Sequence, residues 1–162
     1  MERIVTDICV IGAGSGGLSV AAGAVQMGAR VVLIEGDHMG GDCLNTGCVP
    51  SKALIASAAV AQAVREAAAY GVAVGPSEVD FAAAMARVRA VIDTIAVADS
   101  QARFEGLGCR VLRGWARFAN PREVVVGDVT VRARRFVIAA GSRAVVPDIP
   151  GLGTVAYMTN ET

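Results

Sequence analysis

Aromatic residues are scarce in this 162-residue chain, at 4%, and lysine and histidine occur once each, as Lys52 and His38. So few aromatics leave little with which to stack nucleobases. Charged residues make up only 19%, with 15 basic against 15 acidic side chains and no long block of either sign. That balance excludes the electrostatic footprint of a nucleic-acid binder, for which Arg132, Arg134 and Arg135 are too few. Four cysteines fall well short of a disulfide-stapled scaffold and fit a reducing, cytoplasmic setting. No long apolar run stands out either. The stretch from Ala53 to Val64 is broken by Ser57 and Gln62 and is too short to cross a bilayer, so no membrane partner is expected. The apolar stretch from Ile8 to Ala24 imitates a signal-peptide core, but glycines recur inside it and Glu2 and Asp7 offset the preceding charge.

A hydrophobic fraction of 54% in 162 residues is enough for one ordinary core. Ile4 to Ile11 is a nearly unbroken apolar run, as in a strand covered on both faces, and is expected to be central. A glycine turn from Gly12 to Gly17 follows, then an alanine-rich helix from Leu18 to Met27 and a second strand from Arg30 to Ile34. This spacing predicts a right-handed, parallel βαβ unit. Gly36 to Gly47 has neither period and reads as a long loop. Helices are expected from Val49 to Tyr70, with Leu54, Val60 and Val64 inward, and from Phe81 to Glu105, with Phe81, Met85, Val88, Ile92 and Ile95 at helical spacing. The segments Arg110–Arg113, Trp115–Phe118, Glu123–Val126 and Val129–Ala133 then predict an antiparallel meander, and Phe136–Ala140 a final apolar strand.

Gly12, Gly14 and Gly17 stand at the spacing of a dinucleotide fingerprint: a tight turn, close approach to a pyrophosphate, and close helix–strand packing. Phosphates would face the helix N-terminus beside Ser15. Glu35, about twenty residues on, stands where an acid accepts from ribose hydroxyls, which argues for FAD or NAD without choosing between them. Cys43 and Cys48 enclose a four-residue loop, and Cys48 precedes Pro50 at the expected start of a helix, where the dipole favours thiolate. Lys52 lies one turn beyond Cys48 on the same face, although a cation there opposes the dipole; the alternative is a solvated surface lysine. A zinc site is the other use for paired cysteines, with Cys9, Cys109 and His38 in reserve, but Cys9 and Cys109 read as buried strand residues and His38 as a polar loop residue.

The run from Gly40 through Gly41, Asp42, Cys43, Leu44, Asn45, Thr46, Gly47, Cys48, Val49, Pro50 and Ser51 to Lys52 closely resembles the active-site signature of the flavoprotein pyridine nucleotide-disulfide oxidoreductases, which include dihydrolipoamide dehydrogenase and mercuric reductase. The N-terminal fingerprint, Glu35, the meander, and Ala139 to Ser142 with Pro147 to Gly151 resemble the same family in the same order, so the likeness covers essentially the whole chain. It implies an α/β, Rossmann-like FAD-binding domain with a parallel central sheet and a small antiparallel meander. It further implies that Cys48 faces the flavin, Cys43 exchanges with substrate and Lys52 lies near the flavin ring. Gly41, Asp42, Ala116, Ala140, Gly141 and Ser142 would line the FAD site. NAD(P)H would be the electron donor or acceptor, and a small disulfide, dithiol or metal ion the substrate, with the lipoamide type favoured.

No second glycine fingerprint follows Thr159 to Thr162, so residues 1–162 are expected to form the N-terminal part of the FAD-binding domain, without the family's NAD(P)-binding and dimerisation domains. The complete protein would be a homodimer. Asp42 stands where many members have threonine, and a carboxylate there needs a compensating donor or solvent. Two rival expectations are a nucleotide-binding fragment without chemistry and a folded fragment without cofactor.

Overall fold

The computed structural model describes residues 2–161. The chain runs β1 (Glu2–Ile11), α1 (Ser15–Gln26), β2 (Val31–Glu35), α2 (Gly41–Asn45), α3 (Cys48–Glu66), α4 (Phe81–Ala96), α5 (Gln101–Gly106), β3 (Arg110–Arg113), β4 (Arg117–Asn120), β5 (Glu123–Val126) and β6 (Val129–Ile138). Short 3-10 turns cover Ala67–Tyr70 and Leu152–Thr154.

All six strands form one sheet in the order β3-β2-β1-β6-β5-β4. The first four are parallel, and β5 and β4 extend the sheet antiparallel from the N-terminal half of β6. β1 is central, as its apolar run predicts. Every residue of β2 is buried, with alternate side chains serving opposite faces. Val31 and Leu33 join Val10, Leu18, Ala21, Phe104 and Val111 in one core cluster, whereas Val32 and Ile34 join Cys9, Leu112, Val124 and Val131 in another. Burial on both faces explains why the sequence here is a continuous hydrophobic run.

Several boundaries differ from expectation. The supposed loop from Gly36 to Gly47 contains α2, with Cys43 inside it. The single helix expected over Phe81–Glu105 is two, because the Ser100 hydroxyl accepts from the Arg103 N–H and starts α5 afresh. Arg110–Arg113 pairs with β2 in parallel rather than joining the meander. Val129–Ala133 and Phe136–Ala140 are not separate strands: β6 runs unbroken from Val129 to Ile138, pairing first with both β5 and β1 and then with β1 alone. Trp115 lies outside any strand, and β4 starts at Arg117. On α3, Leu54 is 37% and Val60 66% exposed, while Ala53 is buried. Its main neighbour is α4, and Arg87 donates to the Ala53 carbonyl across that contact. By length and composition alone, the helical stretch Gly41–Tyr70 is long and apolar enough to cross a membrane, although it breaks at Thr46 and Gly47.

The strand-to-helix turn after β1 depends on two glycines. Gly12 has φ +102°, and a Cβ on it would sit 2.1 Å from the Ala139 carbonyl oxygen; one on Gly17 would sit 1.8 Å from the Gly12 oxygen. Both spacings are far inside contact distance. Gly16, one residue earlier, has nothing within 4 Å of such a Cβ. Gly17→Ala is therefore expected to destabilise the fold by about 1–3 kcal/mol through overpacking, whereas Gly16→Ala should stabilise α1 by about 0.5–1 kcal/mol. Urea unfolding followed by circular dichroism measures both.

Candidate active site

The C-terminal ends of β1, β2 and β6 meet around one cleft of about 820 Å³. Its lining includes Gly14, Ser15, Gly41, Asp42, Cys43, Cys48, Ala140, Gly141 and Ser142 from the expected site. Carboxyl ends of parallel strands are where such sheets bind ligands. A smaller cleft of about 480 Å³, among Val5, Thr6 and Arg132–Arg135, lies beside the N-terminal half of β1 and holds none of these residues.

α1 opens on the cleft with its terminal N–H groups uncapped. Its N-cap is Gly14, which offers no side-chain acceptor, and no acid sits in its first turn. Free N–H donors and the positive end of the dipole make this an anion site. Gly14 and Gly40 pair as an isolated bridge, and a Cβ on Gly41 would come within 2.7 Å of the Gly14 Cα. The fingerprint turn and the cysteine segment are thus packed backbone to backbone.

Glu35 lies beneath this junction, 9% exposed. Its carboxylate accepts from the Ala13 N–H at 2.5 Å and the Asp37 N–H at 2.7 Å. A carboxylate has about four lone-pair sites. Two remain for hydroxyl donors, and the two backbone bonds hold the group in place. These donors and this acceptor fit the pyrophosphate and ribose of a dinucleotide. Of the expected site residues, Gly12, Gly17, Glu35 and Lys52 do not line the cleft.

Cys43 in α2 and Cys48, the first residue of α3, are both free thiols, and their sulfurs are near enough to influence each other. The Cys48 sulfur and then burial push the Cys43 thiol above the ordinary range, opposed by the Cys48 backbone N–H and the Lys52 charge. Lys52 is exposed on α3, one turn past Cys48. Burial pushes Cys9 up to about 12 and also raises Cys109. Those two cysteines are core residues, as expected, with Cys109 just ahead of β3.

Residues in and beside this interval hold the segment in place. Leu44 is buried, and the Asn45 amide donates to the Met39 and Gly41 carbonyls at 3.1 and 2.8 Å. Asp42 is exposed and accepts from the Thr46 hydroxyl and from the Asn160 amide. The carboxylate in place of threonine therefore has both solvent and donors.

Residues 6–161 match the family described as pyridine nucleotide-disulphide oxidoreductase. The chain belongs to that family. It is 39% identical over 165 residues to a mercuric reductase of Acidithiobacillus ferrooxidans, covering 94% of this chain and 29% of that protein. A dihydrolipoyl dehydrogenase of Acholeplasma laidlawii is 34% identical over 147 residues, covering 90% of this chain and 44% of its own length. Among solved structures, the HOCl-induced flavoprotein disulfide reductase RclA of Escherichia coli superposes with a TM-score of 0.71 at 28% identity, covering 91% of this chain and 31% of that one. The chain thus spans less than half the length of these relatives. Flavoproteins of the pyridine nucleotide-disulphide oxidoreductase family use FAD and NAD(P)H.

Ala116, expected at the cofactor through its backbone, packs its side chain against the second core cluster and is not among the residues that line the cleft. Its neighbour Trp115 lines the cleft, 74% exposed, with its ring where a Cβ on Gly36 would meet it at 2.9 Å. Sequence reading missed this residue by placing it in a strand. The remaining signal was its position after Gly114, where φ is +144°. Asp37 and His38 also line the cleft and form a 3.4 Å pair.

Because thiolate is the reacting form, a raised Cys43 pKa slows its alkylation at a given pH. Removing the largest cause by Cys48→Ala should move the pH midpoint of Cys43 alkylation downward and speed the reaction near pH 8. Peptide-resolved mass spectrometry after iodoacetamide pulses reads the midpoint, and an unmoved midpoint would remove the sulfur contact as its cause.

Proposed function

We propose that this chain is the FAD-binding, redox-disulfide portion of an NAD(P)H-linked disulfide oxidoreductase acting in the cytoplasm as part of a homodimer. The carrying observation is the single cleft that joins the uncapped start of α1, the cysteine pair and the Gly141–Ser142 segment. Bound FAD supplies hydride exchange with NAD(P)H and an electron pair for the disulfide.

The residues divide the remaining work. The first N–H groups of α1, beside Ser15, hold the pyrophosphate, and Glu35 takes ribose hydroxyls. Gly41, Asp42, Ala140, Gly141 and Ser142 complete the cofactor wall. Cys48 faces the flavin and Lys52 sets a positive charge beside it. Cys43 exchanges with substrate: its thiolate attacks the substrate disulfide, expels one thiolate and forms a mixed disulfide. Cys48 then displaces the second substrate thiol and leaves the Cys43–Cys48 disulfide. Two electrons and two protons restore the dithiol.

A lipoamide-type disulfide or dithiol is the proposed substrate. The 39 and 38% identities with mercuric reductases support a second reading, in which a soft metal ion is the substrate. Retention of one mercuric ion per reduced chain against excess glutathione, lost in Cys43→Ser, would favour that reading; full release to glutathione would favour the disulfide class.

The cofactor assignment is tested by passing the chain with FAD through gel filtration and adding one two-electron equivalent of reductant without oxygen. Co-eluting flavin and a long-wavelength charge-transfer band are expected, with the band absent in Cys48→Ser. Failure to retain flavin would overturn the assignment.

A further inference from the structure

Asp42 does more than tolerate its position. α2 has five residues, too few to hold a helix by its own hydrogen bonds. One residue supplies much of what is missing. The Asp42 carbonyl accepts from the Thr46 N–H at 2.9 Å and the Gly47 N–H at 2.7 Å. Its Oδ1 accepts from the Thr46 hydroxyl and, at 2.7 Å, from the Asn160 amide. Its Oδ2 lies over Gly47, where an added Cβ would come within 3.1 Å of it. Residues 46 and 47, immediately ahead of Cys48, are thus fastened to the residue immediately ahead of Cys43.

We propose that Asp42 is a positioning residue for the redox pair. Its carboxylate clasps the turn between the two cysteines, ties that turn through Asn160 to residues 159–161, and so holds the sulfurs in disulfide-forming register. This rests on the reading of Cys43 and Cys48 as a redox pair. The function asked of residue 42 is that of an acceptor for two donors on one oxygen, rather than of a negative charge. A clasped turn keeps the thiols close before they bond, which raises their effective concentration and stabilises the disulfide over the dithiol. The exchange balances: protein dithiol plus oxidised glutathione gives protein disulfide plus two glutathione thiols.

The experiment equilibrates the whole chain, without flavin, in glutathione buffers and reads the Cys43–Cys48 disulfide by mass spectrometry after acid quench and alkylation. Asp42→Ala is expected to lower the equilibrium constant for the disulfide about tenfold, equivalent to raising the reduction potential by about 30 mV. Asp42→Asn, whose amide oxygen can accept from the same donors, should stay within about twofold of the unmodified chain. Thr46→Val should lower the constant and add little on top of Asp42→Ala, as partners in one contact do. Asn160→Ala should shift it in the same direction by less. An Asp42→Ala constant equal to the original, an Asn variant as impaired as Ala, or additive effects of Asp42→Ala and Thr46→Val would each overturn the clasp. An unchanged Asn160→Ala would overturn its tie to 159–161. Should Asp42→Ala not fold by circular dichroism, Thr46→Val and Asn160→Ala decide alone. If the unmodified chain forms no Cys43–Cys48 disulfide in any buffer, the redox-pair reading fails and takes the clasp with it. Flavin retention remains a separate result.

Discussion

The backbone crossing at the end of β1 is the constraint on which the other parts of the site depend. Gly12 donates to the Ile34 carbonyl at 2.8 Å, Ala139 donates to the Ile11 carbonyl at 2.7 Å, and Gly40 donates to the Ala13 carbonyl at 2.9 Å. Three parallel strands and the cysteine-bearing segment are therefore tied to one turn of four residues. The lack of side chains at Gly12 and Gly17 lets α1 descend steeply onto the sheet and present its free N–H groups at the strand ends. A bulkier crossing would lift α1, and the anion site and the contact with Gly41 would separate.

How much of this was legible from residues depended on whether a feature was local. The strand–helix–strand order of the first 35 residues follows from runs and spacings within that stretch, and the structure has it, with α1 starting at Ser15, three residues before the expected Leu18, and Glu35 closing β2. The second half was harder. In β3, Val111 and Leu112 are consecutive buried residues facing opposite cores, the mark of a strand covered on both sides rather than an alternating hairpin strand. Four residues are too few to separate the two patterns. β6 was divided because the consecutive exposed residues Arg134 and Arg135 break the alternation, yet the ladder with β1 continues past them.

The same distinction holds within the site. Cys43, Cys48 and Lys52 were visible through spacing. The division of the four cysteines was visible too, since Cys9 and Cys109 read as buried strand residues; the structure adds that Cys109 precedes β3 instead of lying in a strand. Trp115 was misplaced because the feature that seats it, the bare Cα of Gly36, lies far away in sequence. Leu54 and Val60 show the opposite failure: helical spacing marks a shared face, but which face is covered depends on what packs there.

Glu35 joins stability to binding. Its carboxylate is buried and bonded to the Ala13 N–H inside the turn that faces the anion site. A buried carboxylate needs donors, and two backbone N–H groups supply them without using all its acceptor capacity. The residue that holds the end of β2 against the turn thus keeps acceptor capacity next to the residues that open the cleft. A ligand that adds donors to this carboxylate and anionic groups to the start of α1 would bind only the folded arrangement, since neither group is positioned in an unfolded chain. Such binding stabilises the fold by mass action. The crossing at β1 therefore sets both the shape of the cleft and the coupling between cofactor and fold.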